Sequence, residues 1–146
     1  MLPDFLNGTS PDHQGRYLQD IWDFDDTAIE QTHDFIQSTF PLTEKSMSVP
    51  GVPTLSADDI EAIRASETAL ANIGKSTQWY LKFLQRNDHW IKSYDHNHLR
   101  ITRMIKSVRL LTGNLKADAA KEKIFTMLGE RISLIQPKAV AFWNLA

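Results

Sequence analysis

The sequence predicts an all-α protein, a single domain of about six or seven helices with no significant β-sheet. Three observations carry that expectation. Apolar residues recur at steps of three and four through most of the chain, the signature of amphipathic helices. Capping residues stand at the head of these runs, and glycine or proline stands at or near their ends. No two alternating segments are joined by a hairpin turn, and there is neither an internal repeat nor a low-complexity tract.

Taken in order, residues 1–15 read as irregular, punctuated by Pro3, Gly8, Pro11 and Gly15. From Arg16 a helical pattern begins with Tyr17, Leu18, Ile21 and Trp22. "DFDDTAIEQTHDFIQSTF" follows, with Asp25 or Asp26 as N-cap and further acid in the first turn, where the helix dipole favours it. Ile29, His33, Ile36 and Phe40 form one stripe, and Pro41 ends the helix. That stripe makes His33 a buried, hydrogen-bonded core histidine. "PLTEKSMSVPGVPTL" holds three prolines and a glycine and reads as a long loop over 41–55. Ser56 opens a capping box with Asp59, and Ile60, Ile63, Leu70 and Ile73 mark the buried face of the next helix. Gly74 is expected to end or bend it, and "STQWYLKFLQR" to resume as a helix. "YDHNHLRITRMIKSVRLL" is the following helix, capped by Asp95 or Asn97 and stopped by Gly113–Asn114. "DAAKEKIFTMLGERI" carries a stripe of Ala120, Ile124, Met127 and Leu128, and Pro137 opens a final helix over 137–146.

A chain of 146 residues fits one domain and can bury roughly two-thirds of its unfolded surface. With no cysteine, disulfides, thiolate zinc sites, iron–sulfur clusters and cysteine nucleophiles are all excluded. No signal peptide and no run of apolar residues long enough to span a membrane is present, so the expectation is a soluble, intracellular, cytoplasmic protein. The net charge of −2 conceals an asymmetry: residues 1–62 carry twelve acidic and two basic residues, a net of −10, whereas residues 63–146 net +8. Either the halves neutralise each other on folding or the basic half faces an anionic partner.

The arginine helix is the most informative stretch. Ile101, Met104, Ile105, Val108 and Leu111 cover one broad face, and Leu99 and Leu110 fall on another. Arg100, Arg103 and Ser107 emerge between these apolar regions, while Thr102, Lys106 and Arg109 point to water. A buried guanidinium needs a partner, and its fork suits a carboxylate. Asp34 and Glu30 are the first choices among acids, giving an internal ion-pair network; the functional alternative is a pocket for a peptide carboxylate or a phosphate. His96 and His98 have a metal-like look, but a two-residue spacing does not place them on one helix face, and a metal site would need a third ligand from His33, Asp34 or His89. A helix-start hydrogen-bond network is the preferred reading. There is no Gly-rich phosphate loop, zinc-protease, nucleophile-elbow or EF-hand motif, and no cofactor is expected.

"GRYLQDIW", "HDFIQSTFPLTEKS", "LSADDIEAI" and "NHLRITRMIKSVRLLTG", in this order, resemble the N-terminal domain of the opioid growth factor receptor family, over about residues 5–130. The resemblance implies a receptor-like binding role: in animals the family's namesake binds a methionine-enkephalin peptide, associates with the nucleus and restrains growth. Small single-domain relatives occur in microbes, and this chain resembles those. The family supplies no catalytic residues. The combined expectation is a non-enzymatic helical module that binds a peptide or small anion at His33, Asp34, Gln37, Asn97, Arg100, Arg103 and Ser107. Two other readings stand beside it: an enzyme using His33, His96 or His98 as general base, and a nucleic-acid binder through residues 100–123, which net +5. A domain pI near 6.2 disfavours the second of these. The last helix is nearly encircled by Val140, Phe142, Trp143 and Leu145, so it is either deeply buried or part of a homodimer contact.

Overall fold

The computed structural model describes residues 1–46 and 49–146; Met47 and Ser48, within the loop expected at 41–55, lie outside the described residues. The fold is all-α, as the periodicity predicts, with nine α-helices among the described residues. The chain forms two compact units, Met1–Ser76 and Thr77–Ala146. No helix of the described residues is long and apolar enough to cross a membrane.

In the first unit the opening segment is not irregular. Leu2–Leu6 forms α1, with a proline in its first turn, where a missing N–H costs nothing. Leu2, Phe5 and Leu6 are buried there, and α1 packs against α4 (Ile36–Thr39) and α5 (Ala57–Arg64). This burial is long-range and leaves no periodic trace in so short a stretch. Two polar contacts hold the packing: Asn72 Nδ2 donates to the Leu6 carbonyl at 2.9 Å, and Ser66 Oγ donates to Asn7 Oδ1 at 2.6 Å.

Leu18–Trp22 forms α2 and Asp26–Gln31 forms α3, capped by Asp25, whose carboxylate accepts from Ala28 N. The single helix expected over 25–40 is therefore two. Thr32 is extended, the chain turns through residues 33–35, and helix resumes only at Ile36. His33 falls in the break and is exposed, which corrects its reading as a core histidine. Phe35 reaches the interior instead and meets Phe24 edge-on at 5.5 Å.

The capping box of Ser56 and Asp59 forms as expected at the head of α5. The next boundary lies eight residues before the one the glycine predicts. Gly74 lies inside an unbroken α6 (Glu67–Arg86), and the interruption comes at Ala65–Ser66. There the Ser66 hydroxyl accepts from Ala69 N, a cap that restarts the helix. Glycine lowers helix propensity by only about 1 kcal/mol, which twenty residues of packing override. Trp22 is fixed against the first part of α6: its Nε1 donates to Ser76 Oγ at 2.9 Å, and Lys75 Nζ sits 4.3 Å above its ring.

In the second unit, α7 (His96–Thr112) and α8 (Asn114–Leu128) meet at Gly113, whose φ of 101° suits glycine. A 3-10 helix, Gly129–Leu134, follows, and α9 (Pro137–Leu145) packs on α7. The buried Trp143 of α9 donates from Nε1 to the His98 carbonyl at 3.0 Å and meets the His98 ring edge-on at 5.6 Å. Phe142 and Leu145 of the same helix are exposed.

Candidate functional site

The first cluster lies in the first unit, around the "HDFIQ" segment. Asp34 does not stand alone: its Oδ1 accepts from Arg16 NH1 at 2.9 Å, its backbone carbonyl accepts from Arg16 NH2 at 3.3 Å, and His13 Nε2 lies 3.7 Å from Oδ2. Arg16 spans further. Its Nε donates to Asp12 Oδ2 at 2.9 Å, and Asp12 Oδ1 caps the turn by accepting from Gln14 N and Arg16 N. One guanidinium thus ties two carboxylates eighteen and four residues away. It grips Asp34 by side chain and backbone together and so holds the break between α3 and α4. Gln37 is buried in the first turn of α4, with Nε2 3.4 Å from the His33 carbonyl.

The second cluster is in the second unit, at the N-terminal end of α7. Asp95 is the N-cap: its Oδ1 accepts from Asn97 N and Nδ2, both at 2.9 Å. Asn97 is wholly buried, and its Oδ1 accepts from the Tyr80 hydroxyl at 2.6 Å and from Arg100 NH1 at 3.4 Å. Arg100 keeps 7% of its surface exposed; Arg103 is half-buried and Ser107 buried. Asn97, Arg100, Arg103 and Ser107 therefore make a polar stripe along a largely buried helix. Burying a guanidinium is costly unless it is well bonded, so such a stripe is either structural or made for an anion.

The histidines separate by role. His98 donates from Nε2 to the Trp90 carbonyl at 2.8 Å, since a carbonyl can only accept. That locks the ring into the start of α7. His96 is exposed, with Nδ1 4.0 Å from Asp95 Oδ1. The two side chains thus diverge, one inward and one outward.

Four other residues depart from expectation. Arg109 is not a solvated charge. It pairs with Asp118 at 2.6 Å and donates to Asn114 Oδ1 and the Ala146 carbonyl, pinning α7 to α8 and to the end of α9. Lys106 is half-buried rather than free in water, and so is Thr102, whose hydroxyl donates to the His98 carbonyl at 3.2 Å. Leu99, expected on an apolar side, is exposed. With Arg100 buried and Arg109 paired, the basic segment 100–123 offers less charge to a phosphate backbone than its composition suggests.

Arg16 was missed as a site residue. Its signal was present: it is one of two basic residues among the twelve acids of residues 1–62, so at least one acid had to find it.

The sequence profile described as the opioid growth factor receptor (OGFr) conserved region matches residues 9–87. The chain belongs to that family. The matched segment includes Arg16 and Asp34 and ends before α7, so the "NHLRITR" stretch lies beyond it. The opioid growth factor receptor of Rattus norvegicus is 27% identical over 115 residues, covering 64% of this chain and 20% of the receptor. That of Mus musculus is 28% identical over 115 residues, covering 64% of this chain and 18% of the receptor. The chain thus spans about a fifth of the length of these receptors. No solved structure matches it.

Proposed function

We propose that this chain is a non-enzymatic helical binding module that takes a peptide or a small anion at the polar stripe of α7: Asn97, Arg100, Arg103 and Ser107. The observation that carries the reading is the burial of Arg100 beside the half-buried Arg103 on one stripe of that helix. Two guanidiniums held by a folded frame are preorganised for a carboxylate or phosphate, because little side-chain entropy remains to be lost on binding. The relatives' names designate receptors for an opioid growth factor, which fits a peptide as the ligand class. In the first unit, His33 is the exposed member of the motif, whereas Asp34 and Gln37 serve the local fold. We place the protein in the cytoplasm as a soluble single domain, with a homodimer contact through the C-terminal end of α9, where Leu145 is exposed.

The test is calorimetric titration with inorganic phosphate and with a short peptide carrying either a free or an amidated C-terminus. The free carboxylate binds and the amide binds less well. Arg103→Ala weakens binding about 10-fold, the scale of one charge-assisted hydrogen bond. If neither phosphate nor the free acid binds, or if Arg103→Ala leaves binding unchanged, the proposal fails. Arg100→Lys, which keeps the buried charge, separates loss of geometry from loss of folding.

A further inference from the structure

The second unit holds a pocket of about 550 Å³ on the side of α7 away from Arg100 and Arg103. Its lining comes from the turn before α7, from α7 itself and from α9 as far as Phe142. Residues 95, 98, 99 and 102 share one face of the helix, whereas 97, 100, 103 and 107 share another. The volume lies within the range of about 300–1,000 Å³ usual for small-molecule sites.

Three features of the lining specify a ligand. Its walls are apolar: Tyr94, Leu99 and Phe142, all large and all exposed, stand around it with Ala139. The lining carries one lysine, Lys138, which stands in the first turn of α9, where the helix dipole adds to its charge. The lining also carries the Asp95 carboxylate, which is already engaged by Asn97 and Lys92 and repels a second anion. The third feature is His98, only 4% exposed and part of the lining. Its Nε2 proton is committed to the Trp90 carbonyl, so in the neutral ring Nδ1 is an acceptor, and that atom has no hydrogen-bond partner among the described residues. A buried acceptor left unmet is costly, and the cost is relieved by any donor brought to it.

We propose that this pocket binds small aromatic carboxylates that also carry a hydrogen-bond donor on the ring, hydroxyphenyl or indolyl acids being the simplest. The ring packs between Leu99, Tyr94 and Phe142. The carboxylate pairs with Lys138, and the ring hydroxyl or N–H donates to His98 Nδ1. Nδ1 itself is buried, so the side chains that cover it shift as the donor arrives. The site lies wholly outside residues 9–87, so it is not an attribute of the matched family segment.

Titration of the full chain with 4-hydroxyphenylacetate and with phenylacetate, followed by NMR and calorimetry, tests the assignment. Both acids shift the resonances of Leu99, Thr102 and Phe142. The hydroxylated acid binds about 3- to 10-fold tighter, the scale of one neutral hydrogen bond. Lys138→Ala, at an exposed position, weakens both about equally. Leu99→Asp abolishes both while leaving the circular dichroism and melting temperature near those of the parent. The proposal is overturned by any of four results: no shift at these residues, equal affinity for the two acids, indifference to Lys138→Ala, or closure of the pocket by a second copy of the chain through Phe142.

Discussion

Replacing Arg16 with methionine removes a guanidinium that ties together two otherwise separate parts of the first unit. The size of the loss follows from burial. The Asp12 side chain has 0% of its surface exposed and the Arg16 side chain 18%, whereas Asp34 keeps 29%. Removing one partner of a fully buried pair costs about 3–5 kcal/mol, and an exposed pair contributes about 0–1 kcal/mol. Asp12 also retains two backbone donors, from Gln14 N and Arg16 N at 2.9 Å, so its carboxylate is not stripped of partners. Between these limits, Arg16→Met is expected to cost about 2–3 kcal/mol. Methionine keeps much of the apolar stem, so the loss is mainly polar. Urea denaturation followed by circular dichroism reads it as a fall of about 1 M or more in the midpoint, given m-values of about 1–3 kcal/mol per M. Asp34→Asn alone costs less, because that carboxylate is partly hydrated. A double-mutant cycle between the two is expected to give a coupling of about 0.5–1.5 kcal/mol. Hydrogen exchange at residues 32–36 should accelerate in Arg16→Met, since the break between α3 and α4 loses its clamp. A stability within about 0.5 kcal/mol of the parent would refute the claim that this guanidinium holds the break.

Other perturbations bear on the second unit. Tyr80→Phe deletes the 2.6 Å bond to buried Asn97 Oδ1 and is expected to cost about 1–2 kcal/mol by thermal melting; no change would mean the network re-forms without it. Gly113→Ala meets no atom of the described residues within 4 Å but must adopt a φ of 101°, so a loss of about 1–2 kcal/mol without any packing change is expected, checked by denaturation and a crystal structure of the variant. Leu145→Ser should convert a dimer to a monomer in sedimentation velocity, and a parent chain already monomeric at high concentration rules out the contact through the end of α9.

The caps and stops were legible because they act within one turn. Ser56 with Asp59, Asp95 before α7, Gly113 after it and Pro137 at the head of α9 each satisfy, or excuse, a backbone group a few residues away. The periodicity of Ile101, Met104, Ile105, Val108 and Leu111 likewise states which face of α7 is buried, and all five are buried. The errors came where a distant contact outweighed local preference. His33 sits on a plausible apolar stripe, yet the grip of Arg16 on Asp34 breaks the helix beneath it. Gly74 resembles a stop, yet the Ser66 cap eight residues earlier is where the chain turns. Among candidate site residues, the burial of Arg100 and Ser107 was readable from helical phase. The orphaned Nδ1 of His98 was not, because it depends on the Trp90 carbonyl and on the packing of α9.

By itself, the sequence determined the helical class, the family, the chemistries excluded by a chain without cysteine, and the principal helix starts, since each depends on residue type and short-range spacing alone. Only the tertiary structure decided which acid meets Arg16, which histidine turns inward, and where exposed Leu99, Tyr94 and Phe142 gather into one cavity. Those outcomes are set by which surfaces exclude water together, and that is a property of the folded chain rather than of any window along it.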